Sequence, residues 1–437
     1  MTLAPSTRVA LTPSWFESLL FIVLMSGPPK FRGRDLSASL EGAIDLVVVI
    51  HLAVWACGGL WVLARVYPAA LQRTVVPAIN TAQAIGALFI ASLTLSLWES
   101  PGILLTAFTL GQFAVMLSFV WVFTHRFGTS ACLRHLFIGV SVLALATVLA
   151  LFFAPGLVGD DEMSAVAFQT RIRGDLLTDT GSLAVIGLVL CLSGVPQLRG
   201  RMFWGALCLF GAILVASRTR SAYVAFLALL VIGLIHGKEL PVRKLIFPLA
   251  ILAFSVFLMD ALSSTVDYLV RERETVETMS DRIPLWQHLT TVVMREAPLT
   301  GLGYHAASRV VGTEYNAQLG NAHSVFFEVL VGGGIIGATL YLVLCASLVV
   351  YAVRLLSMAS GQPGAVAAAT LLCVALIMGV TSPVGLHAGP LGFAFWSSTA
   401  LLPALSRQVA RARVAGEQRL HGRRSNQRPP RAVVSPS

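Results

Sequence analysis

The sequence predicts an all-α, polytopic integral membrane protein with about twelve transmembrane helices and one long outer loop. Three observations carry that expectation. Hydrophobic residues make up 56% of the 437 and charged residues only 12%. Mean hydropathy is +0.79, whereas a soluble domain carries about a quarter charged residues. The apolar residues also gather in runs approaching the roughly 20 needed to cross a bilayer. In lipid the backbone must satisfy its own hydrogen bonds, and within a single segment only a helix does so.

Taken in order, the runs lie near Trp15 to Gly27, Ile44 to Leu63, Pro77 to Trp98, Ile103 to Phe123, Leu136 to Phe153 and Leu176 to Leu192. The second half adds Met202 to Ala216, Tyr223 to Ile235, Leu245 to Leu262, Ser324 to Val353, Ala365 to Val380 and Leu391 to Leu405. Several are short of a full crossing. The two that flank Ser217 to Ser221 either cross or tuck that turn below the membrane surface. No small-residue cleavage site follows the first run, so it reads as a span rather than a removable signal. Cys57, Cys191, Cys208, Cys345 and Cys373 fall inside spans and Cys132 in a short loop, without metal-ligand spacing. They read as small packing residues. Residues 1–405 thus form one helical domain, and 406–437 a disordered basic tail.

Lys and Arg accumulate in cytoplasmic loops. The tail holds Arg411, Arg413, Arg419, Arg423, Arg424, Arg428 and Arg431, which places it inside; its charge also suits anionic lipid. Alternate loops then carry Arg354; Lys238, Arg243 and Lys244; Arg199 and Arg201; Arg126 and Arg134; and Arg65 and Arg73. Both termini are expected in the cytoplasm.

The opposite side should be poor in basic residues, yet it holds Arg171, Arg173, Arg218, Arg220, Arg271, Arg273, Arg282, Arg295 and Arg309. An arginine at the end of a span is costly unless it meets an anion, and its planar fork suits phosphate oxygens. Headgroup snorkelling or a local acidic pair is the plainer explanation, and it fits Arg271, Arg273 and Arg295, which stand among glutamates. Arg218 and Arg220 lie between apolar runs without a nearby acid. Long apolar helices around such arginines favour a phosphate ligand carrying a lipid tail.

The long loop, 263–322, contains "MSDRIPLWQHL", in which Ser280 or Asp281 can cap a helix with Pro284 in its first turn. Leu285, Leu289, Val292 and Val293 recur at helical spacing, so this helix lies on the membrane or packs on the bundle. Pro298, Gly301 and Gly303 then mark a tight turn. The next span opens as "NAHSVFFEVLVGGGIIG", with His323 at its mouth, Glu328 inside it and three glycines that permit close helix approach.

The order "SRTRSAY", "SDRIPLW", "APLTGLGY" and "AHSVFFEVLVGGGIIG" resembles the O-antigen ligase and polysaccharide polymerase family, most strongly over residues 176–343. The resemblance implies a bacterial inner-membrane glycosyltransferase. It would take a glycan from an undecaprenyl diphosphate carrier on the periplasmic face and pass it to a glycan or lipid acceptor. Arg218, Arg282 and His323 match the family's positions, and Arg173 fits an arginine before the sixth span. This chain departs by adding Arg220 and by placing Asn321 before the histidine rather than after it.

Charge neutralisation by Arg173, Arg218, Arg220 and Arg282 would suit a diphosphate leaving group. His323 is the candidate general base for the acceptor hydroxyl, with His305 and His387 as further candidates. Glu328 and Asn321 are candidate supports, and Glu328 is expected to meet a bundle cation such as Arg218. No metal, cofactor or nucleic acid is expected. Membrane lipids and other polysaccharide-assembly proteins are the expected company. Polymerisation of exopolysaccharide or O-antigen repeat units is the expected reaction; a ligase and a lipid-linked transporter or flippase are the alternatives, although nearly charge-free span centres and the lack of a repeat disfavour transport.

Overall fold

A computed structural model describes residues 11–27, 46–71, 78–153, 180–195, 198, 200–217, 219–236, 282–315, 321–359, 362–382 and 385–426. These residues are helical throughout their regular structure, without a strand among them. The helices are α1 (Trp15–Ser26), α2 (Leu46–Leu71), α3 (Thr81–Thr94), α4 (Ile103–Phe127), α5 (Thr129–Phe153), α6 (Thr180–Leu192) and α7 (Arg201–Ser217). They continue as α8 (Arg220–His236), α9 (Arg282–Glu296), α10 (Ala306–Tyr315), α11 (Val325–Met358), α12 (Pro363–Thr381) and α13 (Pro390–Asn426).

Eleven of the twelve expected spans coincide with a described helix; that at Leu245 to Leu262 lies outside the described residues. Among the described residues, five helices are long and apolar enough to cross a membrane, within α2, α4, α5, α11 and α12. Helix α13 is longer, at 37 residues, but its second half is polar and charged; the others are shorter. Helix α1 has 12 residues and α6 has 13, giving about 18–20 Å of axial rise against a hydrocarbon core of about 30 Å.

Two boundaries differ from expectation. Cys132, expected in a loop, is buried inside α5, because Gly128 at φ 86° turns the chain directly from α4 into α5. The tail expected to be disordered from 406 continues α13 as helix to Asn426. Its run of Arg, Ala, Glu and Gln has high helix propensity, and Arg413 pairs with Glu417 one turn on.

The ends of α1 and α2 show how polar groups enter the bundle. Ser14 and Glu17 exchange hydrogen bonds in a capping box at the start of α1. Glu17 also accepts from Arg65 of α2 at 3.1 Å, tying the two helices at one end. Packing elsewhere is aromatic: Phe21, Phe119, Phe123 and Phe393 bring α1, α4 and α13 together. Helix α11 packs on α3, α12 and α13, and α12 packs on α8.

Candidate functional site

The three glycines of α11 organise the region where the polar residues meet. Gly334 takes φ 59°, ψ −160°, which breaks α11 into two helical pieces. A side chain is disfavoured there, and a Cβ would also lie 2.5 Å from the backbone of Leu299. The broken helix leaves amides and carbonyls that need partners. The turn after α9 supplies them. Pro298 and Leu299 carbonyls accept from Ile335 and Ile336 at 2.9 and 3.2 Å, and the Leu302 amide donates to Val331 at 2.8 Å.

Gly301, at φ 73°, faces the amides of Gly333 and Gly334, and Gly332 faces Tyr304. The glycines were expected to permit helix approach. Gly333 and Gly337 do meet the Leu93 side chain of α3, while the backbone that comes against Gly332 and Gly334 is that of the 298–304 turn.

Helix α9 runs from Arg282 with Pro284 in its first turn. Its apolar face, Leu285, Leu289 and Val293, packs with Ala297, Leu302, Ala307, Val311, Ala322 and Val331, so the helix lies on the bundle. Trp286 stacks on Phe327 with ring centroids 4.6 Å apart, and its Nε1 donates to the Ala322 carbonyl at 2.8 Å. Arg282 stands one helical turn before Trp286, on the same side of α9.

His323 follows Ala322 and precedes α11, so it lies in a turn rather than on the helix. Its backbone has φ 49°, and its amide donates to Asn321 Oδ1 at 2.8 Å. Asn321 therefore closes a local turn that fixes the histidine backbone. This gives a physical reason for an asparagine before the histidine. Arg173 and Arg218 lie outside the described residues. Arg220 opens α8, and its side chain is not among those described.

A second group gathers beside the break. Glu328, 1% exposed, accepts from Ser308 Oγ at 2.6 Å and lies 3.7 Å from His305 Nδ1. His305 and His387 rings are 4.3 Å apart between centroids. His387 also contacts Tyr304 and Phe113. His305, Glu328 and His387 each bring one ligand-capable atom within 4.8 Å of the others. The Tyr304 hydroxyl is buried without a hydrogen-bond partner among the described residues, and burial, with the Glu328 charge, pushes its pKa well up. Burial lowers the Arg309 pKa, while the nearby Glu328 carboxylate opposes that shift.

The expected partner of Glu328 was a bundle cation such as Arg218, which lies outside the described residues. The partners described are Ser308 and His305, with His387 and Arg309 near enough to act on its charge. Ser308 and Arg309 were not singled out as a site from the sequence. They lie in the first turn of α10, directly after His305.

Several apolar helices and a buried polar cluster beside a broken helix define a multi-pass membrane protein with an internal polar site. A family model described as O-antigen ligase matches residues 204–342, a segment that is similar to the O-antigen ligase and polymerase family. Members of this family are glycosyltransferase-like enzymes. A search of curated proteins finds no match.

Proposed function

We propose that this chain is a periplasmic-face glycosyltransferase of a bacterial inner membrane. It moves a glycan from an undecaprenyl diphosphate carrier to a sugar hydroxyl and so polymerises exopolysaccharide or O-antigen repeat units. The observation that carries the reading is the family match over 204–342, which contains Arg218, Arg220, Arg282 and His323. In the proposed reaction the anomeric carbon to phosphate-oxygen bond breaks as the acceptor oxygen attacks the same carbon. Undecaprenyl diphosphate leaves, and Arg218 and Arg282, with Arg173 and Arg220, offset its growing charge. His323 takes the hydroxyl proton. No metal enters the step.

The turn at Asn321–His323 supports this role because its geometry is fixed from three sides: Asn321 holds the His323 amide, Trp286 holds Ala322, and α11 begins at Val325. Arg282 belongs to the helix that carries Trp286, so the proposed base and one proposed phosphate ligand share a support. A second reading is ligation of the finished glycan to lipid A-core or another acceptor, favoured by the family's description.

The test uses purified full-length protein and a synthetic lipid diphosphate glycan without nucleotide sugar. Lengthened glycan supports polymerisation, and single transfer to an added acceptor supports ligation. Movement of the lipid with the glycan unchanged refutes both and favours a transporter. Arg218→Ala, Arg282→Ala and His323→Ala should each lower product formation by about 100-fold or more while leaving membrane insertion intact. Full activity in all three would remove the site assignment.

A further inference from the structure

Three potential ligands reach the head of α11 from three segments far apart in sequence. His305 follows the Gly303 turn, Glu328 lies in the first turn of α11, and His387 lies in the turn ahead of α13. Each segment is independently held. The Tyr304 carbonyl accepts from Thr106 Oγ1 at 3.1 Å, and Trp396 Nε1 donates to the Leu386 carbonyl at 3.1 Å. His305 adopts φ 69°, a conformation a non-glycine residue takes at a cost. The surrounding contacts therefore impose its direction rather than local preference.

Two imidazoles and one carboxylate are the donor set of three-ligand zinc sites, which keep a further position open. Zinc-bound ligands stand about 2.0–2.2 Å from the ion, so neighbouring ligand atoms lie about 3.4 Å apart in a tetrahedral site. The His305 to Glu328 separation is 3.7 Å, and the whole set lies within 4.8 Å. Side-chain adjustment of about an ångström would close it. Ser308, which donates to Glu328 Oε1, is the outer partner that orients a ligating carboxylate.

We infer that His305, Glu328 and His387 bind one borderline divalent cation of the zinc class. Its effect is to pin the 303–305 and 385–389 turns to the head of α11. The site does not depend on the proposed transfer reaction and is tested by occupancy. Arg309, close enough to Glu328 to act on its charge, opposes a dication and would attract a phosphate, so its substitution separates a cation site from an anion pocket.

Untagged full-length protein, stripped with EDTA in detergent, is titrated with zinc against a chromophoric chelator, and bound metal is counted by elemental analysis. About one zinc per chain is expected. His305→Gln and His387→Gln should each weaken binding by at least about 100-fold, and Ser308→Ala by about tenfold. Arg309→Gln should tighten it by about tenfold. Monodisperse elution and an unchanged melting curve of the stripped form establish that each variant is folded. Absence of stoichiometric zinc in the wild type overturns the proposal, as does zinc binding that survives both histidine substitutions. So does pyrophosphate binding that Arg309→Gln abolishes in a chain that takes no zinc.

Discussion

Gly301 and Gly334 do what no other residue can do at their positions. Both take positive φ, and each lies where a Cβ would press on the backbone of the other's segment. Gly301→Ala and Gly334→Ala should each lower stability by about 2 kcal/mol or more, read as a melting shift in detergent. Tyr304→Phe tests the opposite case. It removes a buried hydroxyl that has no partner among the described residues, so stability should change by less than about 1 kcal/mol. Sequence showed the glycine triplet as a packing feature, because consecutive glycines inside an apolar run have few other uses. Its partner was hidden, since a turn from a distant loop carries no local mark of where it docks. His305 and His387 were visible as histidines near the same membrane face. Their convergence with Glu328 was not, because it depends on three unlinked turns.

At the scale of elements, α9 was the most legible part of the long loop. Pro284 and the apolar residues at helical spacing specify a helix and one buried face, and Leu285, Leu289 and Val293 are all fully buried. What the spacing does not carry is the role of Trp286, which stacks on Phe327 and holds the Ala322 carbonyl. Trp286→Ala should cost about 3 kcal/mol from the lost packing and hydrogen bond. The same variant should lower transfer activity more than a comparable truncation at Leu299, which is 59% exposed. Measuring melting and product formation on both variants separates support of the His323 turn from general destabilisation.

Across the whole molecule, hydropathy located the helices well and their ends less well. Runs were cut at charges such as Arg134, yet α5 begins five residues earlier at Thr129. A helix propagates by backbone bonding whether or not its terminal side chains are apolar. The short helices α1 and α6 also warn that apolar length alone does not count crossings. The loop charges predict that residues 126–134 face the cytoplasm and 282–323 the opposite side. Cysteine introduced at Arg134 should resist an impermeant thiol reagent in intact cells, whereas cysteine introduced at Glu314, which is exposed, should react. These probes are read in a background without the native cysteines. The reverse pattern would invert the proposed topology.

The exchange of hydrogen bonds across the Gly334 break also bears on how this chain can be recombined with its relatives. Because Pro298, Leu299 and Leu302 complete the bonding of α11, the turn after α9 and the helix containing the break form one inheritable unit. A chimera that takes loop 282–323 from another chain while keeping its own α11 separates donors from acceptors inside the fold. The workable crossover points lie before Arg282 and after Ile336, so acceptor specificity carried by that loop would travel with the glycines that receive it.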